Sequence, residues 1–191
     1  MINLLKLKIL SSKMRKFLEK KEYRKTIEFA NEILESDEKN LFALKCKSDA
    51  LRQLGDFNGS LECANIIVDL EPTSFNLANQ AVLLWFLDDV EGSFEILDYI
   101  LMNFDDYNDA FNNKSIFLCE LERFDEVIEL CDYILEKNPN FLNALCMKST
   151  AHYKMGDFSS SLEFINKALE IDNKNEWCIN FKNEILEKME N

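Results

Sequence analysis

The sequence predicts an all-α fold built of stacked helical repeats. The tripeptide Gly55-Asp56-Phe57 returns as Gly156-Asp157-Phe158, and the 101-residue interval between the copies divides into steps of 33, 34 and 34 residues. Similar segments stand in the same phase at 21–23, 88–90 and 122–124. The chain has only four glycines and two prolines in 191 residues, and 47% of its residues are apolar, which favours helices over hairpins or disorder. A period of this length indicates units that bury each other's apolar faces.

Numbering each repeat so that the tripeptide glycine stands at position 15 gives five repeats, at 7–40, 41–73, 74–107, 108–141 and 142–175. Position 4 is apolar in every repeat and shares one face of a first helix with position 11. Position 8 is mostly small, which lets a second helix approach closely. The second helix carries apolar residues of its own, such as Ile27 and Ile33 in the first repeat. Each repeat is therefore predicted to be a helix, a turn and a helix, with Pro72 and Pro139 after the second helix.

This pattern resembles the tetratricopeptide repeat, whose 34-residue signature has an apolar position 4, small residues at 8 and 20, and proline at 32. Ser60, Ser93 and Ser161 supply the small residue at position 20. The resemblance covers residues 7–175 and implies a right-handed α-α superhelix. Repeat three lacks the turn glycine and the proline, and Val127 replaces the small residue in repeat four.

Residues 176–190 are predicted to form one more helix that caps the array. We expect Ile179, Leu186 and Met189 of this helix to face the last repeat and its charged residues to face water. The whole chain, 1–191, is predicted to be a single domain.

Charge is distributed unevenly along the chain. Residues 1–25 contain nine Lys/Arg and two Glu, a net charge of +7, so the rest of the chain carries −20 of the total of −13. No basic residue lies between Arg52 and Lys114, where twelve acids occur. Such an acidic middle would repel nucleic acid. Two interpretations stay open: solvated helix faces that keep the protein soluble, or self-association of the basic end of one molecule with the acidic middle of another.

The sequence also gives expectations about compartment. The longest apolar run, 81–87, is too short to cross a bilayer, and we expect neither a signal peptide nor a membrane span. The six cysteines form no Cys-x-x-Cys pair, so they are interpreted as small buried hydrophobes of a reducing, cytoplasmic protein.

Catalytic chemistry has few candidates. His152 is the only histidine, and it occupies position 11, which normally packs. The four glycines are scattered among helix turns and cannot form a phosphate-binding loop. Zinc ligands at usable spacing are lacking. We therefore predict a non-enzymatic protein without metal or cofactor, and an enzyme of unknown class is the weakest alternative.

The family resemblance implies that first helices line a concave groove through positions 2, 5, 6, 9, 12 and 13. Aromatic and amide side chains at those positions suit an extended peptide or a partner helix, because rings supply contact area and amides can bond a peptide backbone. The alternative is that Trp85 and Phe86 fill a tightly curled superhelix. The predicted groove residues are Phe42, Lys45, Phe75, Asn79, Val82, Trp85, Phe86, Asn112, Asn113, Ile116, Met147, Tyr153 and Trp177.

The predicted partner is a protein segment that is basic or neutral and partly apolar, because acids are expected to surround the groove. A subset of the family binds the C-terminal carboxylate of chaperones with lysine, asparagine and basic residues of three repeats. Lys45 and Asn79 match that pattern, but Asp49, Asp109 and Asn113 replace the other residues. Two acids beside a carboxylate would oppose its binding, so chaperone-tail capture is not predicted.

Overall fold

The computed structural model describes residues 4–190, with side chains described from residue 7 onward. Within that range the chain forms eleven helices and no strand. The predicted all-α class and helical-repeat fold are confirmed. The helices are α1 (Leu4–Glu19), α2 (Tyr23–Leu34), α3 (Leu41–Gln53), α4 (Phe57–Leu70), α5 (Ser74–Phe86), α6 (Val90–Asn103), α7 (Asn108–Glu120), α8 (Phe124–Lys137), α9 (Leu142–Lys154), α10 (Phe158–Ile171) and α11 (Glu176–Glu190).

The turn between the two helices of a repeat is the same in all five. The residue at position 15 has a positive φ whether it is glycine, as at Gly55 (79°) and Gly156 (82°), or Lys21, Asp88 or Glu122, at 56–62°. The next residue donates its amide to the carbonyl at position 11, at 2.8–3.0 Å in every repeat. This left-handed conformation costs a non-glycine residue about 1–2 kcal/mol. The turn is therefore retained in the repeats that lack the glycine.

The remaining two residues of the tripeptide have separate structural roles. The Asp56 carboxylate accepts the Gly59 amide at 2.9 Å and so caps α4, and Asp157 caps α10 through the Ser160 amide at 3.0 Å. Such a cap stabilises a helix by about 1 kcal/mol. Phe57 begins α4, and its ring contacts an aromatic residue of the next repeat, as described below.

The residues at position 4 form the centre of the packing between helices. They are at most 8% exposed in every repeat: Leu10, Leu44, Leu77, Phe111 and Leu145. One apolar cluster surrounds Leu10 and Met14, a second surrounds Leu44 and Ile67, and a third joins Leu145, Ile165 and Ile185. Burial is thus distributed among neighbouring helices, as in other repeat arrays.

The chain divides into two compact bodies, and each is described by itself. The N-terminal body ends at Ala110 and the C-terminal body begins at Phe111, within α7. The N-terminal body contains α1–α6, and the C-terminal body contains most of α7 and α8–α11.

The orientation predicted for the capping helix is wrong. Ile179, Leu186 and Met189 of α11 are 37–47% exposed, whereas Cys178 and Ile185 are fully buried. Phe181 packs against the same cluster as these two buried residues. The apolar residues of α11 occupy two adjacent stripes, and the buried one lies about 100° around the helix from the predicted one.

None of the helices within residues 4–190 combines the length and apolar character needed to cross a membrane.

Candidate peptide-binding surface

The most exposed aromatic residues of the predicted groove lie on α5, in the N-terminal body. The Phe75 side chain is 59% exposed and that of Phe86 is 51% exposed. Asn79 is also exposed, and Val82 between the rings is half-buried. Successive spacings of four, three and four residues place these four side chains on one face of the helix. We call this face the α5 stripe.

The start of α5 is fixed by local hydrogen bonds. The Thr73 hydroxyl accepts the Asn76 amide at 3.2 Å, and the buried Asn76 side chain donates to the Glu71 carbonyl at 2.8 Å. Phe75 projects from this first, doubly anchored turn. Leu77, on the opposite side of the helix, is buried and orients the α5 stripe outward.

Phe86, at the end of α5, is held by the aromatic residue of the repeated tripeptide. Its ring stacks on Phe57 with a centroid distance of 4.8 Å and an interplanar angle of 7°. About half of the Phe86 side chain still faces solvent. The sequence did not indicate this role for Phe57, although Phe57 follows the helix cap at a fixed position in the repeat.

Trp85 lies off the α5 stripe. Its indole is half-buried and stacks on Phe94 of α6, at 6.3 Å between centroids and 5° between planes. This contact joins the two helices of repeat three. Trp85 thus packs within repeat three, whereas Phe75 and Phe86 remain accessible.

Phe42 and Lys45, from α3, are both engaged within the N-terminal body. Phe42 packs against the Leu10 cluster, and the guanidinium of Arg15 lies 5.3 Å from its ring centroid. The Lys45 ammonium donates to the Glu71 carboxylate at 2.7 Å, and this hydrogen bond lowers the Glu71 pKa. Because both groups are exposed, the pair contributes little to stability. It does neutralise the charge that Lys45 would otherwise present.

In the C-terminal body, the predicted residues on α7 and α9 form a mixed polar and apolar surface. Asn112, Asn113 and Met147 are half-buried, and Ile116 is 47% exposed. The Asn112 side-chain oxygen accepts from the Asn143 amide at 3.0 Å, so one of its bonding groups is already used.

Tyr153 and Trp177 belong to an aromatic group around the capping helix. Phe181 lies 5.2 Å from the Tyr153 ring and 5.0 Å from the Trp177 ring, which is half-exposed. The Tyr153 hydroxyl donates to the Glu184 carboxylate at 2.6 Å, and this hydrogen bond raises the Tyr153 pKa. Phe181 lies on α11 with Trp177, so its contact with Tyr153 joins α9 to the capping helix.

A concave pocket in the N-terminal body was not predicted. Its volume is about 360 Å³, and it is lined by Leu7, Lys8, Ser11, Ser12, Arg15 and Phe42. Lys8, Ser11, Ser12 and Arg15 stand at positions 2, 5, 6 and 9 of the first repeat, which are groove positions in the repeat register. Extending that register to repeat one would have identified them.

Acidic side chains are exposed on and around repeat three. Asp88, Asp89, Glu91 and Glu95 are exposed in the turn and on α6, and Asp105 and Asp106 are exposed between α6 and α7. The α5 stripe therefore belongs to a repeat with a strongly negative surface.

The described residues give little support for catalysis. No group of three or more His, Cys, Asp or Glu among them could hold a metal ion. The His152 ring stacks on Phe164 with a centroid distance of 5.5 Å. Its Nδ1 lies 3.3 Å from a carboxylate oxygen of Asp157, in the turn between α9 and α10. Burial raises the pKa of the Cys46 thiol to about 11 and that of Cys131 to about 12, which disfavours the nucleophilic thiolate.

Comparisons with known proteins support the repeat assignment. Residues 142–175 match the model of the family described as tetratricopeptide repeat. None of the curated proteins matches the chain in sequence.

Several solved structures share the fold. A crystal structure of MamA is 19% identical, covers 88% of this chain and 92% of its own, and has a TM-score of 0.69. YrrB, described as a TPR protein with an unusual peptide-binding site, is 14% identical over 91% of this chain and 90% of its own, with a TM-score of 0.61. The C-terminal part of a TPR repeat-containing protein from Cytophaga hutchinsonii is 8% identical over 94% of this chain and 71% of its own, with a TM-score of 0.74. Residues 142–175 are therefore a tetratricopeptide repeat, and the chain is a helical-repeat protein with the tetratricopeptide-repeat fold.

Proposed function

We propose that this protein is a non-enzymatic interaction module that binds a segment of a partner protein on the α5 stripe. The observation that carries the proposal is the exposure of more than half of both Phe75 and Phe86 on one helix face. Large rings of this kind contribute much of the binding energy at protein interfaces, because they bury a large area with few rotatable bonds.

The polar residue between the rings adds specificity. The exposed Asn79 amide can both donate to and accept from a peptide backbone, while Val82 beside it supplies an apolar contact. A partner segment would place apolar side chains on the two phenylalanines and direct a backbone amide or carbonyl to Asn79.

The charge of the surroundings selects the partner. The exposed acids of repeat three attract basic segments and repel acidic ones. We therefore assign to the α5 stripe a ligand that is basic or neutral and partly apolar.

The test is a selection of random twelve-residue peptides displayed on phage against the full-length chain. Selected peptides are then titrated into the parent protein and into the Phe75→Ser/Phe86→Ser variant. We expect peptides that combine Lys or Arg with Leu or aromatic residues, and at least about a tenfold loss of affinity in the variant, because interface aromatics typically contribute 1–2 kcal/mol or more. Circular dichroism melting checks that both proteins are folded.

The matched control is Tyr99→Ser/Met102→Ser. Both residues are exposed on α6, at 53% and 70%, so the control removes a similar exposed apolar area from a different helix. It should leave peptide affinity within about twofold of the parent. Equal binding by all three proteins, or failure to select any peptide, would contradict the proposed function.

A further inference from the structure

The pocket at the start of the array has a chemistry opposite to that of repeat three. It lies between α1 and α3 of the N-terminal body and contains two cationic side chains, Lys8 and Arg15, and two hydroxyls, Ser11 and Ser12. Leu7 and Phe42 supply its apolar part. Its volume of about 360 Å³ is within the range of sites that bind small ligands or a few residues of a peptide.

The two cations in the pocket lack acidic partners. No carboxylate within the described part of the chain forms an ion pair with Lys8 or Arg15. Other basic side chains are paired: Lys45 with Glu71, and Lys148 with Asp132. The unpaired charges of the pocket are therefore available to an anionic ligand.

Phe42 orients one of these cations. The Arg15 guanidinium lies 5.3 Å from the Phe42 ring centroid, within the range of a cation–π contact. When the face of a guanidinium lies against an aromatic ring, the N–H groups along the guanidinium edge stay free to donate. Two of these N–H groups match the spacing of the two oxygens of a carboxylate. The serine hydroxyls can donate to the same group.

The local field also favours an anion. The first 25 residues carry a net charge of +7. Of the nine basic residues in this segment, eight lie within the part of the chain whose side chains are described. The exposed cations Lys13 and Lys16 lie on the same helix, and Lys20 follows its last residue; all three increase the positive potential.

We infer that this pocket binds a carboxylate group of an acidic segment from a partner protein. Arg15 and Lys8 pair with the carboxylate, the serine hydroxyls complete its hydrogen bonds, and an adjacent apolar side chain of the ligand packs on Phe42 and Leu7. This site is separate from the α5 stripe and has the opposite charge preference. It also differs from chaperone-tail capture, whose lysine and asparagine pattern would fall in repeats two to four.

Two other anionic partners fit the observations less well. Phe42 is half-buried and belongs to α3, so a flat lipid surface that touches α1 would not reach it as a peptide side chain can. Nucleic acid would meet a chain whose remaining residues carry −20.

The test measures binding of a synthetic twelve-residue peptide of alternating Glu-Leu-Asp-Phe units by isothermal titration calorimetry at 50 mM and 150 mM salt. Its counterpart with Gln and Asn in place of Glu and Asp is the uncharged control. The protein variants are Lys8→Glu/Arg15→Glu and the control Lys20→Glu/Arg24→Glu, which makes the same change in net charge at exposed sites outside the pocket.

We expect the acidic peptide to bind the parent and the control variant, with at least about a tenfold loss in Lys8→Glu/Arg15→Glu, and the uncharged peptide to bind none of them. Phe75→Ser/Phe86→Ser should bind the acidic peptide like the parent, so failure of this site and failure of the α5 stripe give different results.

Four results would overturn the inference. The parent could fail to bind the acidic peptide, or both charge-reversal variants could lose binding equally, which would show a diffuse electrostatic effect. Sedimentation could reveal a salt-sensitive dimer of the parent that Lys8→Glu/Arg15→Glu abolishes, which would assign the pocket to a second copy of the chain. Vesicles containing phosphatidylserine could bind the parent while the peptide does not, which would assign it to lipid.

Discussion

At the scale of single residues, two hydroxyls join the helices of a repeat. In repeat five, Ser149 and Ser161 each donate to the other's backbone carbonyl at 2.8 Å, and their oxygens lie 3.1 Å apart. Ser48 and Ser60 make the same reciprocal contact in repeat two. Small residues at positions 8 and 20 thus let the two helices of a repeat approach closely. In repeats two and five both positions are serine, and the two hydroxyls bond reciprocally across the helix contact.

Repeats three and four lack one member of this pair. In repeat four the partner position is Val127, and the Ser115 hydroxyl instead donates to the Phe111 carbonyl of its own helix at 2.7 Å. In repeat three position 8 is Ala81, and the buried Ser93 hydroxyl finds no partner among the described residues. A buried polar group without a hydrogen bond costs about 1–3 kcal/mol.

Ser93→Ala is therefore expected to stabilise the protein by about 1 kcal/mol, because it removes an unpaired buried hydroxyl. Ser161→Ala is the matched control, since it makes the same change where the hydroxyl is bonded, and it should destabilise by about 1 kcal/mol. Urea denaturation followed by circular dichroism measures both. Equal destabilisation by the two substitutions would show that Ser93 has a partner in solution.

At the scale of a helix, α11 shows how two apolar stripes compete for burial. Ile185 and Cys178 are seven residues apart and both fully buried, while Ile179 and Leu186 have the same spacing and are exposed. The Cys178 sulfur lies 3.4 Å from that of Cys146 on α9, so this stripe of α11 faces a neighbouring helix. Side-chain hydrophobicity alone predicted burial of the stripe formed by Ile179, Leu186 and Met189, because it contains more aliphatic residues than the stripe that is buried.

Ile185→Ala should lower the free energy of unfolding by about 2–4 kcal/mol, because it leaves a cavity in the cluster that contains Leu145 and Ile165. Ile179→Ala removes the same atoms from a residue that is 40% exposed and should cost less than about 1 kcal/mol. Chemical denaturation of both variants tests the assignment, and a larger loss in Ile179→Ala would reverse it.

At the scale of the whole molecule, buried thiols make stability depend on alkaline pH. All six cysteines are free, and burial raises the pKa of five of them, Cys46, Cys63, Cys119, Cys131 and Cys146. In the unfolded chain a thiol deprotonates near pH 9, whereas Cys131 in the folded protein stays protonated to about pH 12. The unfolded state then binds fewer protons, so stability decreases as the pH rises above 9.

We expect the free energy of unfolding to fall between pH 9 and 10.5, and to fall less steeply in Cys131→Ala. The difference in slope should be at most about 1.4 kcal/mol per pH unit, the value for one proton. Urea titrations of both proteins from pH 7.5 to 10.5 give the slopes. Identical slopes would mean that the Cys131 thiol ionises as readily in the folded protein as in the unfolded one.

The candidate site could be predicted in part. The register placed Phe75, Asn79, Val82 and Phe86 on one helix face, and the structure has Phe75 and Phe86 exposed. It could not separate Trp85 from them, because the direction of that ring depends on Phe94, nine residues away on the next helix. It also could not show that Lys45 pairs with Glu71, since the two residues are 26 positions apart in sequence.

The sequence by itself determined the repeat and its turn. The spacing of the tripeptide, the apolar position 4 and the small position 8 are local patterns, and helix periodicity converts them directly into buried and exposed faces. Tertiary structure decided which of two adjacent stripes on α11 is buried, which aromatic rings remain accessible, and which buried hydroxyls are paired. These outcomes depend on contacts between helices, where the shape and partners of both surfaces, rather than the periodicity of one, set the free energy.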